Sequence, residues 1–238
     1  MRRFHDIGLR YPGTPEDARQ LVAEAKRMGF HRVCINIPVR GKEGLMILKS
    51  LKDQDLGEGT LIGAEIDVVG GSKNGLHSLL GRARKLADLV AVLGGDLAIN
   101  KYAVESRGTD VLRAPYRGRR DSGVDKVVAE AAARNGVALE LSFADVLAPN
   151  SGRIGLLRRL GELVEFAGAF DTCFVLSSGA IDMLGLRMPQ DLAAFVTCLG
   201  MDNEEALEAV STVPGEVVDR ALERNDERII APGVRVIG

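Results

Sequence analysis

Arg117, Arg119 and Arg120 fall within four positions of PYRGRRDSG, residues 115–123. A guanidinium is planar, always charged and donates in a fork that matches phosphate oxygens, so such a cluster is equipment for holding a phosphate rather than for making or breaking bonds. The preceding TDVLRA reads as a strand, and Asp121 or Ser122 stands where it can cap the next helix. The loop then leaves the carboxyl end of a strand. There, in parallel α/β folds, ligands gather and helix N-termini offer free backbone N–H groups. A solvated surface loop is the bland reading of the same charges.

Other stretches offer less. VLGGDLAINKYA, residues 92–103, pairs a glycine turn after a strand with Asn100 and Lys101. VVGGSKNG, residues 68–75, lacks the GK[ST] element and spacing of a phosphate loop, and SSGA, residues 177–180, reads as a small polar turn that could receive a phosphate. The histidines are His5 beside Asp6 in the first strand, His31 at the start of the second and His77 in a loop, with no HxH or HExxH spacing. Glu65, Asp67 and Glu140 fall in strands and could meet inside a barrel or at its mouth. No nucleophile-elbow sequence anchors a serine triad. With no Trp and 4% aromatic residues, base stacking has only Tyr102 and Tyr116 as platforms, so any RNA contact is expected to run through phosphate and shape.

These residues need a scaffold, and the chain supplies a strand and helix rhythm. FHDIGLR reads as a strand. Thr14 caps a helix with Pro15 at its first turn, Ala18, Leu21, Val22, Ala25 and Met28 recur at helical spacing, and Gly29 ends it before HRVCINI. Further strands are read at TLIGAEIDVV, DLVAVL, TDVLRA, VALELSF and TCFVLSS. Connections of crossover length imply parallel pairing. The expected fold is an α/β, TIM-like (β/α) barrel forming one domain, with a doubly wound open sheet as the alternative. After Ser178 the chain reads as helices, two of them begun by Pro189 and Pro214, and no eighth strand is evident. The barrel is therefore expected to be incomplete or distorted, its gap closed by helix or by the tail RIIAPGVRVIG. Residues 1–225 are assigned to the barrel and 226–238 to a C-terminal tail.

Hydrophobic residues at 46% and charged residues at 27% exclude a disordered chain, and a formal charge of −2 argues against a protein that coats nucleic acid indiscriminately. The charge is segregated, however. Residues 98–120 carry Lys101, Arg107, Arg113, Arg117, Arg119 and Arg120 against Glu105 and Asp110, whereas acidic residues dominate 200–228. Cys34, Cys173 and Cys198 lie in apolar segments without a CxxC pair and are read as buried reduced thiols. The N-terminal MRRFHDIGLRYPG has no secretory apolar run and no stretch is long enough to span a bilayer, so a soluble, cytoplasmic protein without membrane contact is expected.

Taken in order, GGDLAINKYAVE, PYRGRRDSGVDKVVAEAAARNGVALELSF, VLSSGA and LRMPQDLAAFVTCLGM resemble the ribonuclease P protein component 3 family of archaea. The likeness is good over about residues 90–218 and looser before. It implies a TIM-like barrel that acts as a noncatalytic subunit in 5′ maturation of precursor tRNA, with an RNA subunit performing the hydrolysis with Mg²⁺. No catalytic residue, metal ligand or bound cofactor is thus expected in the polypeptide itself. Partners implied are ribonuclease P RNA, precursor tRNA, ribonuclease P protein component 2 and other protein subunits. Carried over by motif, Lys101, Arg117, Arg119, Arg120, Lys126, Arg134 and Arg187 would contact RNA, with Asn100 and Asp191 supporting the site. Arg134 ends a helix and is expected at the opposite barrel face. The competing reading is a metal-dependent phosphoesterase-like barrel hydrolase acting on a small phosphoester through His5, Asp6 and Glu65.

Overall fold

In the computed structural model, which describes residues 2–68, 72–148 and 152–225 and the backbone of two short strands beyond, the seven apolar runs form one parallel sheet in strand order one to seven. The strands are β1 (Phe4–Arg10), β2 (Phe30–Val39), β3 (Thr60–Ile66), β4 (Leu89–Leu93), β5 (Val111–Arg113), β6 (Ala138–Ser142) and β7 (Phe174–Ser177). Between them run helices α1 (Pro15–Arg27), α2 (Lys42–Lys52), α3 (Lys73–Ala83), α4 (Leu97–Glu105), α5 (Lys126–Asn135), α6 (Ala144–Leu147) and α7 (Arg153–Ala169). After β7 come α8 (Pro189–Thr197), α9 (Asn203–Glu208) and α10 (Thr212–Asn225). The fold is a nearly closed TIM-like barrel, as expected.

Local chemistry sets the element ends. Thr14 Oγ1 accepts from Asp17 N at 3.1 Å, Pro15 opens α1, and Gly29 at φ 100° leaves it in a conformation that favours glycine. Ser72 caps α3 through Gly75 N. Residues 69–71 of VVGGSKNG lie outside the described residues. His77 sits within α3, not in a loop. The cap of α5 is Asp125, whose carboxylate accepts from Val128 N at 2.8 Å, rather than Asp121 or Ser122.

The barrel interior is layered. Near the strand entries Ile7, Cys34, Leu61, Leu89, Val111, Ala138 and Val175, one from each strand, form a buried apolar ring. Two residues further along, the same inward face carries Asn36, Arg113, Glu140 and Ser177, all buried and polar. A larger apolar cluster fills the space between the strands and the surrounding helices.

Helix α10 lies under the ring. Val217 and Val218 pack into it, Asp219 pairs with Arg32 at 2.5 Å, and Asn225 Nδ2 donates to Ala87 O at 3.0 Å. The segment just before α10 occupies the eighth place: His5 N donates to Val210 O at 2.9 Å and Leu176 N to Ala209 O at 3.0 Å. Arg10 N donates to Ala180 O at 2.8 Å at the other end of the seam. Non-strand backbone therefore closes the gap. The tail does not enter this sheet: strands β8 (Ile229–Ala231) and β9 (Val234–Arg235) pair with each other, and the remaining residues of 226–238 lie outside the described residues.

One cysteine expectation is corrected. Cys34 is buried in the ring, where burial pushes its thiol up, and Cys173 is half-buried, but Cys198 at the end of α8 is exposed. No helix among the described residues is long and apolar enough to cross a membrane.

Candidate nucleic-acid interface

The arginine loop begins where β5 ends, on the strand-exit rim. Ala114 takes φ 47°, and the turn closes with Arg117 N to Ala114 O at 3.0 Å and Arg119 N to Tyr116 O at 3.2 Å. The N–H groups of Arg117 and Arg119 are thus occupied by the loop itself. Tyr116 is buried: its hydroxyl donates to Asp145 Oδ2 at 2.9 Å and accepts from Ser142 N at 3.3 Å. Burial and the nearby Asp145 carboxylate hold its phenol well above the ordinary range. Tyr116 is therefore the anchor of the loop, not a stacking platform. Tyr102, half-buried in α4, lies 3.0 Å from His77 Nδ1 through its hydroxyl.

Asn100 of α4 ties the loop down. Fully buried, it accepts from Gly95 N at 3.1 Å and donates through Nδ2 to Pro115 O at 3.1 Å and to Gly123 O at 2.8 Å. Gly123 has φ 71°, and a Cβ there would stand 1.9 Å from Pro115 O, so the close approach requires glycine. Arg158 Nη2 donates to Arg120 O at 2.6 Å and Ser122 N to Glu162 Oε2 at 3.1 Å, which fastens the loop to α7 as well.

The rigid loop presents its arginines differently. Arg117 is exposed, with Asp67 3.6 Å away. Arg119 is partly buried and forked onto Asp121, with Nε to Oδ1 at 2.6 Å and Nη2 to Oδ2 at 2.9 Å. That hydrogen bonding raises the Arg119 pKa and lowers that of Asp121. Arg120 is exposed and its guanidinium has no ion pair among the described residues. Lys101, exposed, follows Asn100 directly on α4, and Lys126, exposed, opens α5 with Glu130 3.7 Å away. Lys101 and Lys126 thus stand on the two helices that flank the arginine loop in the chain, α4 before it and α5 after it.

The remaining candidates lie elsewhere. Arg187, between β7 and α8, donates through Nη1 to Leu184 O at 2.9 Å and Leu186 O at 2.6 Å and lies over the Phe143 ring at 5.6 Å, so its orientation is fixed locally. Asp191 is exposed in the first turn of α8, a place favoured for a carboxylate, and has no side-chain bond to Arg187 among the described residues. Arg134 is exposed in the last turn of α5, at the strand-entry end. SSGA is fully engaged: Ser177 Oγ donates to Glu140, and Ser178 N donates to Asp6 Oδ2 at 3.2 Å.

Two members of the basic segment lie away from this loop. Arg107 precedes β5 at the strand-entry end, where its carbonyl accepts from Arg224 at 3.0 Å. Arg113 is inside the barrel, 1% exposed, with Nη1 2.7 Å from Glu65 Oε2, Nε 2.7 Å from Glu140 Oε2 and Nη2 donating to Ile7 O at 3.3 Å. Burial pulls its pKa down, but Glu140 and Glu65 more than offset this and hold the guanidinium charged. Glu65 and Glu140 do meet inside the barrel, through Arg113, while Asp67 lines the mouth with Arg40 at 2.9 Å.

This geometry removes the basis of the phosphoesterase reading. His5 lies at the strand-entry end against His31 and Gly215, whereas Glu65 points toward the exit and is neutralised by Arg113. Burial, with Arg32 and His31 nearby, lowers the His5 pKa to about 4. Burial raises that of Asp6. Among the described residues no three His, Cys, Asp or Glu side chains gather where a metal ion could be held.

The loop also borders a cleft of about 460 Å³ over the barrel mouth. Its lining includes Arg10, Arg40 and Arg159, which sequence reasoning missed. They come from three separate elements, and although Arg159 follows Arg158, nothing in the sequence links it to Arg10 or Arg40.

Comparison with known proteins bears on the whole chain. The family model described as RNase P subunit p30 matches residues 3–226. Ribonuclease P protein component 3 of Methanosarcina acetivorans is 36% identical over 238 residues, covering 99% of this chain and 96% of the relative. The protein of the same name from Methanothermobacter thermautotrophicus is 32% identical over 243 residues, covering 99% and 92%. Among solved structures, a chain in the cryo-EM structure of archaeal ribonuclease P with mature tRNA superposes with a TM-score of 0.79, at 24% identity and 98% coverage of both chains. A putative prolidase from Bifidobacterium longum reaches a TM-score of 0.57 at 11% identity, covering 92% of this chain and 70% of the other, and shares the barrel alone. The family match spans nearly the entire sequence, strands and rim loop together, and this chain belongs to the RNase P subunit p30 family.

Proposed function

We propose that this chain is the noncatalytic, RNA-binding barrel subunit of a ribonuclease P, acting in the 5′ processing of precursor tRNA in the cytoplasm. In this reading the RNA subunit carries out phosphodiester hydrolysis with Mg²⁺, and component 2 and other protein subunits share the assembly. The observation that supports it is the arginine loop fastened at both ends by Asn100, which holds Arg117, Arg119 and Arg120 in a fixed loop between α4 and α5, the helices that carry Lys101 and Lys126. Fixed cations of this kind contact phosphate with little ordering cost and without sequence preference. Arg134, at the entry end, and Arg187, engaged by local carbonyls, are assigned weaker or separate contacts.

Reconstitution tests the reading. The chain alone should not cleave precursor tRNA. Added to the RNA and partner subunits it should raise cleavage, and Arg119→Ala with Arg120→Ala should reduce that gain. Metal-stimulated cleavage of a generic phosphoester by the isolated chain would count against it.

A further inference from the structure

The cleft at the barrel mouth collects guanidinium groups from separate parts of the chain: Arg10 at the end of β1, Arg40 after β2, Arg117 in the rim loop and Arg159 in α7. Asp67, Asp145 and, from the floor, Glu65 are the carboxylates of the lining. Asp67 serves Arg40 at 2.9 Å and Arg117 at 3.6 Å, and Asp145 lies 3.6 Å from Arg10 while holding the Tyr116 hydroxyl. Arg159 has no ion pair among the described residues. Moreover, the Nε groups of Arg10 and of Arg159 are shielded from solvent and have no hydrogen-bond acceptor among the described residues. A desolvated donor without an acceptor is costly, and a guanidinium edge in that state gains most from an oxyanion. Below the cleft, Glu65, Arg113 and Glu140 satisfy one another and close the floor. The cleft is therefore shallow, and its free bonding capacity is cationic.

We infer that the barrel mouth is a phosphate-binding site, with Arg10 and Arg159 as its direct ligands and Arg40 and Arg117 at its rim. The phosphate chemistry is shared by a polynucleotide backbone and by free orthophosphate. The backbone is the expected source, since the cleft adjoins the rim loop, and in that respect the inference rests on the RNA-binding reading. The site binds and does not hydrolyse, because its acidic groups are already committed to arginines or to Tyr116.

The test uses the full chain, with a short oligouridylate and orthophosphate as probes. Arg10→Gln with Arg159→Gln should weaken oligouridylate binding about tenfold or more and flatten its log–log salt dependence by about 1.4, the amount for two phosphate contacts on a single strand. Orthophosphate should compete in the wild type and not in the variant. Arg159→Lys, which keeps charge but loses the fork, serves if the double variant does not fold, and it too should weaken binding severalfold. Orthophosphate binding that depends on both arginines, with oligouridylate indifferent to them, would support the site and reassign its source to free phosphate. If Arg120→Gln weakens oligouridylate while the mouth variants change neither probe, the mouth site is overturned and the rim reading stands. Indifference of both probes to every substitution would overturn both.

Discussion

Asn100 donates to the carbonyl of Gly123 across 2.8 Å, so a helix that precedes the arginine loop holds its far end. Asn100→Ala would leave the Gly123 and Pro115 carbonyls and the Gly95 N–H unpartnered, at a cost of about 2–4 kcal/mol in urea unfolding. RNA affinity should fall while the salt slope stays at the wild-type value, because no cation is removed. A reduced slope would show that Asn100 acts through charge placement at fewer phosphates rather than through ordering of the loop.

Arg120 and Lys101 are exposed and have no carboxylate partner among the described residues. Replacing both by Ala should flatten the salt dependence of single-stranded RNA binding by about 1.4 and weaken binding about equally across sequences. Filter binding over a salt series measures both quantities. A sequence-selective loss would point to base contacts instead.

Arg119 is occupied by Asp121, which also accepts from Gly123 N at 2.9 Å. Asp121→Asn keeps that acceptor and removes the competing charge. RNA affinity should rise severalfold, with the largest gain at low salt. A loss of affinity would mean that the fork onto Asp121 is what orients Arg119.

Arg113 bridges two carboxylates in the barrel interior. Arg113→Met should destabilise the fold by about 3–5 kcal/mol, since it strands Glu65 and Glu140 without a counter-charge. Adding Glu65→Gln and Glu140→Gln to that variant should recover much of the loss. Denaturant midpoints of the single and triple variants decide this.

His5 has a folded pKa of about 4 against an ordinary value of 6.5, so the unfolded chain binds more protons between those pH values. Its contribution to stability is therefore complete above about pH 6.5 and is lost as pH falls toward 4, by up to about 3 kcal/mol. Asp6, raised by burial, acts in the opposite sense: its contribution is present below its unfolded value and is lost as pH rises through the folded one. His5→Gln should flatten the pH dependence of unfolding free energy in the His5 window alone, and an unchanged slope would refute the assignment.

The strands were legible because each is a short apolar run bounded by turn residues, and α1 because Thr14, Pro15 and Gly29 mark its ends in a few positions. Arg113 was half legible. Alternation from Val111 turns it inward, but Glu65 and Glu140, 48 and 27 residues away, are joined to it only by barrel closure. Local rules could not choose among Asp121, Ser122 and Asp125 as the cap of α5, since all three are capping types. Asp125 reaches Val128 N, whereas Asp121 is held by Arg119 and Gly123 N and Ser122 by Val124. The arginines of the mouth are dispersed over four elements, and only the closed sheet makes them neighbours. The lack of an eighth strand is legible in the sequence, yet nothing in the spacing of Val217 and Val218 tells that their helix fills the base of the barrel.

That helix fixes an order of events during synthesis. Residues 7, 34 and 61 are made early, but the valines at 217 and 218 that seat against them are made much later. Until then a nascent barrel keeps a ring of aliphatic side chains open to water, vulnerable to sticking to whatever passes. Truncation before residue 217 would leave the molecule in that state for good, and a shortened chain should collect in aggregates rather than in solution.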